Sequence, residues 1–404
     1  MSEPPNSPSL FLYAVYQAIG VSTFIVLLIP SFVVHSVLHL HPATRPYPTW
    51  SYRRDMAVAL GRLYLACTTY FCLPRPPHRQ AWREDALVRK QVGDGTQVKT
   101  VAVPPVGDEW VIGIARAAKG VVVPETVPCF WTFSDAQKVG EGDEPAREGE
   151  RVVLYVAGGS WVMGHPQSTP FPYKICTASS HRVLAVNHRK AVMADSAFPA
   201  QLLDLTAGYA YLLSLGFLPE NITLLGDSSG GHLVLALTRY LAELNDAAPE
   251  LKAGMPGTLM LISPSCDFSH PPHGLSRTDF LSPYLNKRAY PSLARHFPPS
   301  ALQNSPYFSP AACGSFAYLA RAQKDAGGDG DGPPVRVWVQ YGSVENLAPD
   351  IERLVQRMRT DGVAVDVDVV AGGVHLDAGM AFALHERAPE SSWERFMQAV
   401  RTYA

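Results

Sequence analysis

Residues 224–232 read LLGDSSGGH. A short apolar run ends in Gly226-Asp227-Ser228-Ser229-Gly230, a G-x-S-x-G pattern, and HLVLALTRYLAEL follows at helical spacing. Strand, turn and helix in that order are what a nucleophile elbow needs. Such a tight turn presents one serine hydroxyl beyond the end of a sheet, at the N-terminus of a helix. A side chain at Gly226 or Gly230 would obstruct the close passage of strand and helix. The bare pattern also describes an ordinary turn capped by serine, so the rest of the chain has to decide.

Working outward, short apolar runs alternate with helical spacing. RVVLYVAGG (151–159), HRVLAVNHR (181–189), NITLLGD (221–227), GTLMLISPS (257–265), VRVWVQYGS (335–343) and VAVDVDVVAGG (363–373) read as strands. AQLLDLTAGYAYLLSL (200–215) and IERLVQRMRTDG (351–362) read as helices. Continuous apolar strands alternating with helices predict an α/β fold, a mostly parallel central sheet covered on both faces. Ligands in such sheets bind at the carboxyl ends of the strands.

A serine nucleophile needs a base and an acid that orients it, arriving in the order Ser, acid, His. His375 follows the last strand, in VVAGGVHLD. Glu345 is the first carboxylate after VRVWVQY; Asp350 is second choice, because its position suggests the start of the next helix. Asp366 and Asp368 lie within a strand and are poorly placed. The oxyanion of an acyl-transfer intermediate needs backbone N–H donors. Ser229 supplies one, and Gly158 and Gly159, in the Gly turn after the first central strand, supply the others.

Together, YVAGGSW, VNHRKA with FPAQLLD, GDSSGG, LISPS, YGSVENL and GGVH resemble the α/β-hydrolase superfamily, and within it the hormone-sensitive-lipase-like esterases. The resemblance runs from about Arg151 to the C-terminus. It implies a serine carboxylic-ester hydrolase with catalytic Ser228, Glu345 and His375, needing no metal and no organic cofactor. Two departures stand out. Ala157 and Ser160 replace the first and last residues of the family's His-Gly-Gly-Gly turn, and Glu345-Asn346-Leu347 replaces its Asp-Pro-Leu. Some relatives of this fold have lost the histidine and serve as ligand receptors; retention of Ser228, Glu345 and His375 argues for an enzyme. An amidase acting on acylated amines would use the same triad.

The N-terminus reads differently. No Asp, Glu, Lys or Arg occurs between Glu3 and Arg45, and Leu10–Val37 is dominated by apolar residues. A spanning helix needs about 20 such residues. The competing readings are a cleaved signal peptide, which usually has a basic start and a shorter apolar core, and a buried core helix. The expectation is an uncleaved single-pass anchor over about 10–37. Arg45, Arg53 and Arg54 follow it, which favours a cytoplasmic bulk. The sequon Asn221-Ile222-Thr223 matters only if the bulk is lumenal. Met56–Leu73, with Arg62 inside it, reads as a second span, an interfacial helix or a helix packed over the catalytic domain; the last two are favoured, because Arg62 at mid-depth would be costly in lipid.

The expected organisation is therefore an anchor over 1–40, a linker and cap or N-terminal hydrolase part over 41–130, and a catalytic domain over 131–404. A cap insertion is expected at about 267–310, rich in Pro, Phe, Tyr and Leu. An anchor ahead of such a domain also resembles fungal steryl acetyl hydrolases and arylacetamide deacetylases. That architecture implies a small hydrophobic ester substrate, such as a short-chain ester of a sterol, and an endoplasmic-reticulum membrane address. A net charge of −2 over 404 residues argues against a nucleic-acid partner. The six cysteines are scattered without framework or zinc-type spacing. The oligomeric state is not set by the sequence.

Overall fold

The strands form where the sequence is continuously apolar, because both faces of the sheet are covered. A computed structural model describes residues 10–71, 95–134, 143–271, 274, 276–281, 289–325, 334–386 and 388–404. Its eight strands are β1 (Thr96–Val103), β2 (Val127–Ser134), β3 (Val152–Val156), β4 (Arg182–Val186), β5 (Ile222–Asp227), β6 (Thr258–Ile262), β7 (Arg336–Gly342) and β8 (Asp366–Val370). They make one sheet in the order β1-β2-β4-β3-β5-β6-β7-β8. β1 and β2 pair antiparallel, as do β2 and β4; every other pairing is parallel.

Every residue of β3, β4, β5 and β6 is buried. One face packs on helices α4 (Ala200–Ser214) and α5 (Ser229–Ala247) through Leu202, Leu205, Leu233 and Leu237. The other packs on α3 (Phe171–Ser179) and on α9 (Ser392–Tyr403), where Phe171 stacks on Trp393 and meets Phe396 edge-on. The remaining helices of the α/β layers are α6 (Ala317–Asp325), α7 (Ala348–Thr360) and α8 (Asp377–Ala383).

The domain boundary expected after residue 130 falls inside β2, and β1 and β2 extend the main sheet. Neither strand stands out in the sequence. Along the edge strand β1, TQVKTVAV is half-exposed, and Pro128 sits within β2, where a proline usually argues for an edge strand. The segment between β6 and α6 holds the expected cap residues. Its aromatic side chains Phe268, Tyr290, Tyr307 and Phe308 are all buried in the main core. Residues 272–273, 275 and 282–288 of that segment lie outside the described residues, as do 140–142 of the charged loop at 140–150 and 326–333 of the Gly-rich loop at 324–334.

Two helices precede the sheet: α1 (Leu10–Leu40) and α2 (Tyr52–Phe71). Within α1, Ala18–Leu40 is long and apolar enough to cross a membrane, with Ile25, Val26 and Ile29 exposed. α2 runs back along α1 through Ser36–Tyr52, His39–Asp55 and Phe24–Tyr64 contacts. It also packs on the sheet end, where Trp50, Val58 and Val374 form a small core with Phe280 and Val344. Leu73, the expected end of the second apolar stretch, and Cys72 lie outside the described residues; no disulfide joins the described cysteines.

β4 runs into the buried Arg189, which makes a pair with Asp204 of α4. Removing one partner of a buried pair strands the other charge, at about 3–5 kcal/mol. Asp204→Ala is expected to lower stability by about that amount and the thermal unfolding midpoint with it. An unchanged midpoint would contradict the pair's structural role.

Candidate active site

Ser228 closes β5 and caps α5, and its backbone sits at φ 54° and ψ −121°. A non-glycine residue holds such a left-handed conformation only when its surroundings impose it. Here the Ser228 N–H donates to Ile262 O at 2.8 Å and its carbonyl accepts from Ser265 N–H at 3.0 Å. The glycine at 230 is obligatory for close approach: a Cβ there would lie 2.0 Å from Val156 O. The elbow is therefore clamped between the ends of β3 and β6.

Its partner arrives from the loop after β8. His375 Nε2 lies 2.9 Å from Ser228 Oγ, and both residues are buried. Glu345 follows β7. Its Oε1 lies 3.8 Å from His375 Nδ1, and neither atom has a hydrogen-bond partner among the described residues. That distance is a charge contact, longer than a hydrogen bond; catalytic hydrogen bonds are often long until substrate is bound. Burial lowers the affinity of His375 for its proton, but Glu345, Asp279 and Asp227 outweigh it and hold the imidazole above its ordinary 6.5. Burial pushes the Glu345 carboxyl up, opposed by His375.

The structure thus brings Ser228, Glu345 and His375 together. Asp350, second choice for the acid, points elsewhere, with Oδ1 3.0 Å from His270 Nε2. The oxyanion donors are placed less uniformly. The Gly158 N–H already donates to Asp227 Oδ2 at 3.1 Å. The N–H groups of Gly159 and Ser229 have no acceptor among the described residues. Gly159 has φ 129°, and a Cβ on it would strike Met163 O at 2.3 Å. Ser160, at the family's third glycine, and Trp161 take left-handed φ of 50° and 61°. Trp161 fixes the turn: its backbone N–H donates to Ser229 Oγ at 3.3 Å and its indole to His232 Nδ1 at 3.1 Å. His232 Nε2 lies 2.8 Å from Tyr307 O, and burial lowers this imidazole to about 4, so it is neutral.

Three supporting residues escaped the sequence reading. Asp227, the variable residue of the elbow motif, accepts from Tyr155 Oη at 2.6 Å as well as from Gly158, and burial raises it to about 6. Ser263, within LISPS, donates to Glu345 Oε2 at 2.6 Å and accepts from Leu376 N–H at 3.0 Å. Asp279, in the expected cap, accepts from Asn346 N–H at 2.7 Å and His375 N–H at 3.2 Å. The first two sit inside quoted motifs; Asp279 has no local signal, because its partners lie 67 and 96 residues away.

A family model described as an α/β hydrolase fold matches residues 153–377, more than half of the chain. The chain belongs to the α/β-hydrolase fold family. Among curated relatives, this α/β-hydrolase-fold protein is 37% identical over 126 residues to an acetyl-hydrolase of Streptomyces hygroscopicus, covering 31% of this chain and 39% of the relative. It is 31% identical over 173 residues to esterase LipU of Mycobacterium tuberculosis, covering 38% and 51%. The chain thus spans about half or less of these relatives. Among solved structures, an esterase from the bacterial hormone-sensitive lipase family superposes with a TM-score of 0.58 at 22% identity, over 88% of this chain and 99% of that one. Carboxyl esterase 2 of Tuber melanosporum gives 0.55 at 18% identity, over 83% and 92%. At these identities the superpositions speak to fold.

The geometry makes two predictions. Ser263→Ala removes a donor to a buried carboxylate, worth about 1.5–3 kcal/mol, so kcat for ester hydrolysis is expected to fall roughly 10–100-fold. An unchanged kcat would mean that Ser263 does not hold Glu345. In the pH profile of kcat/KM, the acid limb is expected above 6.5, because Glu345 stabilises the imidazolium. Glu345→Gln removes that anion, so the limb moves to lower pH while the plateau falls at least ~100-fold. A limb that stays in place would assign the raised value to another group.

Proposed function

We propose that this protein is a membrane-anchored serine carboxylic-ester hydrolase with a Ser228-Glu345-His375 triad. The observation that carries the reading is the 2.9 Å approach of His375 Nε2 to Ser228 Oγ at a left-handed turn. His375 takes the Ser228 proton as Oγ attacks the ester carbonyl. The oxyanion is held by Gly159 and Ser229 N–H, and Gly158 joins them by sharing its N–H away from Asp227. His375 then protonates the leaving alcohol while Glu345 stabilises the imidazolium. Water, deprotonated by His375, releases the acid and restores Ser228. The names of the relatives, an acetyl-hydrolase and an esterase, support ester chemistry.

The substrate in this reading is a short-chain ester of a hydrophobic alcohol, such as a steryl acetate. The aromatic residues of the cap segment lend little support, because Phe268, Tyr290, Tyr307 and Phe308 are used in the core. Support comes from α1, whose apolar side chains are exposed, and from one other aromatic residue of that segment, Phe280, whose ring lies 6.2 Å from that of His375. An endoplasmic-reticulum location belongs to the same proposal and rests on the architectural resemblance.

The test is hydrolysis of p-nitrophenyl acetate, butyrate and octanoate by detergent-solubilised protein. Wild type is expected to turn over the acetate best, and Ser228→Ala to lose activity at least ~1,000-fold. Activity that survives in Ser228→Ala would overturn the triad. A preference for octanoate would overturn the short-chain assignment alone.

A further inference from the structure

α1 has 31 residues, longer than the roughly 20 needed to cross a hydrocarbon core, so the polar residues decide which part lies in lipid. Up to Ile29 its polar side chains are Tyr13, Tyr16, Gln17, Ser22 and Thr23, with no histidine; beyond Pro30 come Ser31, His35, Ser36 and His39. α2 changes character at the matching level. Arg53, Arg54, Asp55 and Arg62 stand in its first part, and residues 63–71 carry no charge. Because the helices run side by side in opposite directions, with Tyr64 against Phe24 and Asp55 against His39, their uncharged parts coincide. If Leu10–Ile29, about 20 residues, is the part of α1 that crosses the hydrocarbon core, the boundary between lipid and water falls near Arg62.

At that boundary lies a cavity of about 340 Å³, lined by Ser31 and His35 of α1, Arg62, Leu63 and Ala66 of α2, and Arg277 of the cap segment. Arg62 donates to Ser276 O at 2.9 Å and Arg277 to Thr44 O at 2.9 Å. Among the described residues no carboxylate lies within ion-pair distance of either guanidinium, and Asp55 is engaged by His39 at 2.9 Å. Burial and the nearby Arg277 lower the Arg62 pKa from its ordinary value, with Asp55 opposing. Two cations thus share a cavity whose lining also includes the apolar Leu63 and Ala66.

We infer that this cavity binds the phosphate-bearing headgroup of an anionic membrane lipid, with Arg62 and Arg277 on the phosphate and the acyl chain running along Leu63 and Ala66 toward the exposed face of α1. Guanidinium groups are suited to phosphate through paired charge-assisted hydrogen bonds. Basic pockets at the membrane surface recognise such headgroups. The inference rests on the membrane seating of α1 proposed above, and the two are separable by experiment.

Full-length protein in a neutral detergent is titrated with dioctanoyl phosphatidic acid, dioctanoyl phosphatidylcholine or inorganic phosphate, following the thermal unfolding midpoint. Phosphatidic acid is expected to raise the midpoint saturably, and inorganic phosphate at the same concentration to leave it unchanged. In Arg62→Gln/Arg277→Gln the apparent Kd is expected to rise at least tenfold, and in Arg53→Gln, which removes a charge outside the cavity, to stay the same. Fluorophosphonate labelling of Ser228 reports whether the double variant is folded; the single Arg277→Gln replaces it if it is not, with the same direction expected. No saturable shift, equal binding by the variants, or an equal shift with phosphatidylcholine overturns the site. An equal shift with inorganic phosphate overturns its assignment to a lipid. Flotation of the wild type with neutral vesicles tests the seating separately: binding in detergent without flotation would leave the site standing and remove the anchor.

Discussion

Everything at the candidate site depends on one backbone conformation. Ser228 is held left-handed because its N–H is bound to the last residue of β6 and its carbonyl to the loop that follows, and because helix α5 passes against the end of β3. Strain of about 1–3 kcal/mol at such a residue persists only where neighbouring structure imposes it. The parallel strands β3, β5 and β6 are buried along their whole length, so the turn between them has no room to relax. A rigid sheet thereby fixes where the hydroxyl points, and the loops after β7 and β8 need only bring a carboxylate and an imidazole to it.

The loop after β8 is braced from the N-terminal segment. The Trp50 indole donates to Gly372 O at 2.7 Å, and Arg54 pairs with Asp377, the first residue of α8, and with Glu386, beyond its end. Asp377 accepts from Val374 N–H at 2.8 Å, one residue before His375. The segment from Trp50 into α2 therefore reaches the loop that carries His375. In a membrane-seated molecule, this places His375 a few side chains from α1 and α2.

Much of this was legible in the sequence, for physical reasons. β3, β5, β6 and β7 announce themselves because burial on both faces demands unbroken apolar runs, and the elbow because close packing demands glycine at fixed positions. His375 and Glu345 follow from strand order alone. β1 and β2 were not legible: an edge strand need not be apolar throughout, and Pro128 argued against a place inside the sheet. Nor was Asp279, whose bonds to Asn346 and His375 close only when three distant segments meet. Composition alone also does not say which aromatic residues of the segment at 267–310 face the site: Phe268, Tyr290, Tyr307 and Phe308 pack in the core, while Phe280 lies beside His375.

The central claim is that Ser228, alone among the serines of this chain, is a nucleophile activated by His375. The most direct measurement is to treat the native full-length protein with a fluorophosphonate and locate the adduct by mass spectrometry of its peptides. The account predicts one stoichiometric phosphonate on Ser228, formed when His375 is present and lost in His375→Ala. A folded protein that takes no label, or takes it on a different serine, would contradict the account.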